Sequence, residues 1–181
     1  MTLHLSTLES FPEIREYAKE TKFITDKMPH NFLYIGLIRV ILPRAKVIHC
    51  VREPMANCFS LFKKSFKDRH NYAHDLVELG QYYNLYRDLM DYWEKVLPGF
   101  MYALSYEKMV SDQQNQTEKL LDFCGLPWDD ACLHFHETER AVHTASHWQV
   151  RQPLYGSSVE RWRRYDQFLG PLKEALGWRQ E

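Results

Sequence analysis

Glycine is scarce in this 181-residue chain: there are seven, and none stands in a Ser-Gly-Thr or Gly-x-x-x-x-Gly-Lys-Ser/Thr context. These residues therefore hold no glycine-built loop whose backbone N–H groups could cradle a phosphate. Cysteine is limited to Cys50, Cys58, Cys124 and Cys132, with no Cys-x-x-Cys pair. Four buried thiols in a reducing, cytoplasmic compartment are the expectation for such a pattern. The longest apolar run, residues 32–38, falls far short of the roughly 20 residues that span a bilayer. Residues 1–8 show neither a basic n-region nor a long apolar core, so no signal peptide is expected. Net charge is only −1, which gives no general reason to expect nucleic acid or membrane as a partner. His134, His136, Glu137, Glu139, His143 and His147 cluster without His-Glu-x-x-His or tetrahedral Cys/His spacing, so they are read as structural or solvent-facing and no metal is expected. A Gly-x-Ser-x-Gly nucleophile elbow, internal repeats and low-complexity tracts are missing too.

What is there fits one domain with a real core. Residues 9–20 read as a short polar helix, followed by a strand at 23–25. Residues 31–42 form a mostly apolar helix stopped by Pro43, leading into a strand at 46–51. Strand–helix–strand order predicts parallel pairing with a right-handed crossover. In residues 73–97, Leu76, Leu79, Tyr83, Tyr86, Met90, Trp93 and Leu97 recur every three or four residues, the stripe of a core helix. Pro98-Gly99 ends it, and 100–105 is the next strand. Ser111-Asp112-Gln113-Gln114 reads as a capping box, with Gly125 and Pro127 closing its helix. Ser157-Ser158-Val159-Glu160 reads as a second, opening a helix that carries Arg161-Trp162-Arg163-Arg164. The pattern predicts an α/β fold, an open parallel sheet flanked by helices.

One junction carries most of the chemistry. Arg52 stands where the 46–51 strand ends, Glu53-Pro54 opens a helix, and Ser60 lies two turns in. Proline suits the first helical position because its missing N–H had no intrahelical partner. A cation and a hydroxyl beside the positive end of a helix make a phosphate site. The competing reading pairs Arg52 with a carboxylate and leaves Ser60 in solvent. The basic run Lys63–Arg69, with Asp68 and Glu53 nearby, reads as a solvated helix end.

The Arg52, Pro54, Ser60 spacing resembles the 3′-phosphate-binding segment of sulfotransferases, which take a sulfuryl group from 3′-phosphoadenosine 5′-phosphosulfate (PAPS). Three further segments resemble that family in order. Asp26-Lys27-Met28-Pro29 is similar to its Asp-Lys-x-Pro element, whose lysine neutralises the leaving phosphate. Tyr106-Glu107-Lys108-Met109-Val110 is similar to its Tyr-Glu-x-Leu/Met-Val segment near the nucleotide. Thr144-Ala145-Ser146, Gln149–Tyr155, Ser157, Arg161 and Trp162 resemble the C-terminal signature of bacterial sulfotransferases, often fused to tetratricopeptide repeats and related to the tyrosylprotein group. The resemblance implies Lys27 as the catalytic residue, Arg52, Ser60, Tyr106, Ser146 and Arg161 as nucleotide contacts, and Arg151 as a weaker one. It also implies a P-loop-NTPase-like fold, PAPS as co-substrate and a hydroxyl-bearing acceptor.

The family's Ser-Gly-Thr cradle for the 5′-phosphosulfate has no match here, and neither has its catalytic base; Glu9, Glu13, Glu16, Glu20 and His30 are present, but nothing nominates one. Residues 1–181 are thus expected to be a single, N-terminally incomplete domain, the C-terminal portion of the family's full domain. A homodimer, or an upstream tetratricopeptide-repeat segment, is the expected partner. The alternative is a non-catalytic nucleotide-binding or interaction module. A nucleotide kinase is disfavoured by the missing Gly-x-x-x-x-Gly-Lys-Ser/Thr.

Overall fold

The structure, a computed structural model, describes residues 2–4 (backbone only), 23–64, 71–138 and 151–178. The expected helix over 9–20, Arg69, Glu139, His143, Ser146 and His147 lie outside the described residues. In chain order the strands are β1 (Thr2–His4), β2 (Phe23–Thr25), β3 (Val47–Val51) and β4 (Met101–Ser105). The α-helices are α1 (Ile35–Ile41), α2 (Pro54–Phe62), α3 (Leu76–Val96), α4 (Tyr106–Ser111), α5 (Gln113–Cys124) and α6 (Gly170–Leu176), with short 3₁₀ segments between.

β3 and β4 pair in parallel, Val47 opposite Met101 through Val51 opposite Ser105, with α2 and α3 in the crossover. β2 does not join them. It pairs antiparallel with β1, Thr2 opposite Thr25, so the described strands form two separate two-stranded sheets. This corrects the single parallel sheet expected from strand–helix–strand order. A three-residue strand offers few backbone groups to pair, and the nearby Thr2–His4 segment satisfies them antiparallel. The fold is mixed α/β with a small parallel sheet.

α3 is the spine. Asp75 caps it, accepting from the N–H groups of Val77 at 2.8 Å and Glu78 at 2.9 Å, which starts the helix three residues later than the apolar stripe suggested. Its Leu79 and Tyr83 pack in one core cluster with Met55, Phe59, Trp162 and Leu172, while its Met90 packs in the other with Ile38, Val47 and Met101. At Gly80 a Cβ would stand 2.6 Å from the Cβ of Ala175 on α6. Gly80→Ala gains about 1 kcal/mol of helix propensity, but overpacking of this kind costs about 1–3 kcal/mol. We expect Gly80→Ala to lower the urea midpoint and a second change, Ala175→Gly, to restore it. A midpoint raised by Gly80→Ala alone would contradict the close α3–α6 contact.

Both expected capping boxes are replaced by other contacts. The Ser111 hydroxyl donates to the Lys108 carbonyl at 3.1 Å, and α5 begins at Gln113 with no side-chain cap from Asp112. Gly125 does close α5, at φ 68°. Ser157 lies inside a short 3₁₀ turn, Gly156–Ser158, Ser158 bonds Tyr106, and Arg161–Phe168 winds as a 3₁₀ helix with no side-chain cap, burying only Trp162. No helix among the described residues is long and apolar enough to cross a membrane.

Candidate functional site

The parallel pairing brings the ends of β3 and β4 side by side, and each end delivers a candidate. Arg52 follows β3, and its Nη2 donates to the Ser158 carbonyl at 2.6 Å. Its guanidinium lies over the Tyr106 ring at 4.9 Å. The Tyr106 hydroxyl shares a 2.7 Å hydrogen bond with the Ser158 hydroxyl. Arg52 Nε is buried with no partner among the described residues, a donor whose desolvation is left uncompensated.

Around this stack lies a pocket of about 210 Å³ that gathers Arg52, Ser60, Lys63, Lys64, Tyr106 and Arg161, with no carboxylate in its lining among the described residues. Glu160 and Asp166, the acids that follow on the same stretch of chain, face other cations, Arg163 at 3.4 Å and Lys173 at 2.7 Å. Partial desolvation, then the charges of Arg161, Lys64 and Arg52, pulls the Lys63 pKa down. Several cations held together without a counter-charge invite an anion. Lys63, exposed at the end of α2 as expected, and Lys64 also line the pocket. They stand three and four residues after Ser60, so helical spacing alone could have pointed to them.

The end of α2 itself does not provide the anion site. The Glu53 carboxylate already accepts from the N–H groups of Met55 at 3.0 Å and Ala56 at 2.6 Å. An anion would be held by side chains on the helix flank. The Glu53 N–H in turn donates to Glu107 Oε1 at 2.9 Å, and Glu107 Oε2 accepts from the Ser105 hydroxyl at 3.2 Å, joining the two strand ends.

Lys27 is not in this pocket. It is exposed on the loop after β2 and lines a larger cavity of about 470 Å³ that runs along β3 past Val47, Ile48, His49 and Cys50. Arg151 is also apart, donating to the Thr138 carbonyl at 3.0 Å. His134 and His136 form no metal cluster among the described residues; His136 faces Glu137 at 3.7 Å.

His49, between that cavity and α3, hydrogen-bonds the Tyr86 hydroxyl. Burial lowers the His49 pKa from 6.5 and pushes Tyr86 up to about 12, so both are neutral near pH 7. With the folded value depressed, the unfolded chain takes up the proton first. Stability is full above the unfolded value and falls as pH drops towards the folded one. Urea midpoints should fall as the pH drops below about 6.5, and His49→Gln should make that fall shallower. Parallel pH profiles for the two proteins would refute the assignment.

Comparison with known proteins agrees with these motifs. A model of the sulfotransferase family matches residues 2–130, which include Lys27, Arg52, Ser60 and Tyr106 but not Arg161. An uncharacterized protein of Aquifex aeolicus (strain VF5) is 42% identical over 156 residues, 84% of this chain and 20% of that protein. The omega-hydroxy-beta-dihydromenaquinone-9 sulfotransferase Stf3 of Mycobacterium tuberculosis (strain CDC 1551 / Oshkosh) is 25% identical over 175 residues, 90% of this chain and 43% of that enzyme. Protein-tyrosine sulfotransferase 1 of Danio rerio is 25% identical over 129 residues, 68% of this chain and 35% of the enzyme. The chain therefore spans less than half the length of each of these relatives. With a continuous match over more than half its residues, beginning before Lys27 and running through Arg52 and Tyr106, the chain belongs to the sulfotransferase family.

Proposed function

We propose that this chain takes part in sulfuryl transfer from PAPS to a hydroxyl acceptor. The observation that carries the reading is the carboxylate-free pocket holding Arg52, Lys63, Lys64 and Arg161 around Ser60 and Tyr106. Such a lining suits a nucleotide with a phosphate on its ribose: Arg52 and Ser60 bind the 3′-phosphate, and Tyr106 and Arg161 contact the nucleotide. Ser146 is assigned to the same ligand by its motif alone.

In the step itself the acceptor oxygen forms a new bond to sulfur while the bond from sulfur to the donor's bridging oxygen breaks. The hydroxyl proton passes to a base, and 3′-phosphoadenosine 5′-phosphate departs. Lys27 neutralises charge building on the bridging oxygen, a task suited to a compact ammonium. Little covalent work falls to the protein in such transfers; positioning and charge neutralisation dominate.

Residues 1–181 contain no Ser-Gly-Thr cradle, so in this reading they act as the C-terminal portion of a P-loop-like domain whose 5′-phosphosulfate loop comes from other polypeptide. The same missing motif favours the second reading, a module that binds the nucleotide without turnover. Calorimetry at fixed salt tests both. 3′-Phosphoadenosine 5′-phosphate should bind more tightly than AMP, and equal affinities would defeat the nucleotide assignment.

A further inference from the structure

β4 is an unguarded edge. Among the described residues it pairs with β3 on one side and with no strand on the other. The outer side of β3 differs, because Met28, Pro29, Phe32 and Ile35 face it across the cavity that Lys27 lines. Natural sheets blunt their edges with lysine, proline, bulges or very short strands. Met101–Ser105 has none of these. Its five residues are uncharged, include no proline and keep unbroken register with β3.

Over this edge α3 and the sheet enclose a groove of about 540 Å³, lined by Val51, Met90, Met101 and Ala103 and, on the helix, by Arg87 and Asp91. Ala103, Arg87 and Asp91 are exposed. Arg87 Nε reaches Asp88 only at 3.9 Å, and Asp91 makes no ion pair among the described residues. Contacts along α3 fix its height over β4. Tyr86 bonds His49, the residue opposite Ala103, and Met90 packs in one cluster with Met101. Arg87 is therefore level with Ala103, and Asp91 with Met101.

That spacing suits a two-fold axis through Tyr102. The axis sets Ala103 of one copy against Met101 of the other, a small side chain against a large one. It also sets Arg87 level with the other copy's Asp91, twice by symmetry. On the opposite face of the sheet Tyr102, whose ring lies 5.2 Å from that of Phe123, meets its own copy as an aromatic cross-strand pair. We propose that the outer edge of β4 pairs antiparallel with the β4 edge of a second copy, joining two parallel pairs into one four-stranded sheet with Arg87 facing the other copy's Asp91. The charge pattern selects a second copy over an unrelated strand: only the same chain, turned about the axis, supplies an acid level with Arg87 and a base level with Asp91 at once. The proposal rests on this edge and its charges, independently of the sulfuryl-transfer reading.

Sedimentation equilibrium of the 181-residue chain tests the pairing. The mean mass should climb from one chain towards two as concentration rises, and added salt should hold it down. Arg87→Glu or Asp91→Arg alone sets like charges across the axis at both symmetric positions and should weaken the dimer roughly tenfold. Mixed in equal amounts, the two variants should pair with each other, because the mixture restores opposite charges at both positions. Thermal melting checks that each variant folds. Should one not fold, Arg87→Gln replaces the two, and it should weaken the dimer about threefold. A chain that stays monomeric at every concentration, variants that dimerise as well as the parent, or a mixture that stays monomeric would each overturn the proposal.

Discussion

Arg52→Ala should erase most of the preference for 3′-phosphoadenosine 5′-phosphate over AMP. A hydrogen bond to a charged group contributes roughly 1.5–3 kcal/mol, which is on the order of ten- to a hundredfold in affinity. AMP lacks the phosphate that Arg52 is proposed to read, so its affinity should change far less. The variant must keep the site otherwise intact. Arg52 also holds the Ser158 carbonyl and covers the Tyr106 ring, so Arg52→Lys serves as a control. Lysine restores the charge but not the planar fork, and it should recover only part of the preference. Binding should also weaken steeply with salt, since Lys63, Lys64 and Arg161 stand in the same pocket. If Arg52→Ala weakened both nucleotides equally in calorimetry, its role would be structural.

The second large effect concerns turnover. Assayed by itself with PAPS and a panel of hydroxyl acceptors, the 181-residue chain should transfer poorly or not at all. Lys27 can neutralise only part of the developing charge, and these residues offer no cradle to hold the phosphosulfate in line with an attacking oxygen. Misplacing a reacting group by about 1 Å can cost on the order of a hundredfold. Supplying an upstream segment that carries the Ser-Gly-Thr loop should raise the rate at least that much, and Lys27→Ala should then abolish it. Robust transfer by the unaided chain would show that residues 1–181 already complete the site.

Much of the fold was legible where a local signal was strong. The β3–α2 junction announced itself through an apolar run, Arg52 and Pro54, and α3 through a stripe from Leu76 to Trp93. The partner of β2 was not legible, because a three-residue ladder is decided by whichever strand lies nearby, here Thr2–His4. Ser157 read as a cap because it stands three residues before Glu160, yet no side chain caps the helix that follows; the Ser158 hydroxyl instead bonds Tyr106, 52 residues away, which no local pattern encodes. Glu53 read only as the residue that opens α2 with Pro54, and its carboxylate lies over the first turn of that helix; Cys50, expected buried with the other thiols, is exposed. Among the nucleotide candidates, Arg52, Ser60, Tyr106 and Arg161 share one pocket. Lys27 lines another cavity, and nothing in the sequence told the two apart.

The Glu53–Glu107 contact has a consequence for the thermodynamics of binding. A backbone N–H at the end of β3 is tied to a side chain at the end of β4, and Ser105 holds that side chain from its other oxygen. The spacing between Arg52 and Tyr106 is thus fixed by a clasp outside the ladder, before any ligand arrives. Ordering loops and side chains on association is a real cost, and a site already ordered avoids much of it. If the proposed site binds the nucleotide, the clasp favours that affinity without touching the ligand. Its loss would appear as a larger entropic penalty on binding, with the enthalpy of the anion contacts left nearly intact.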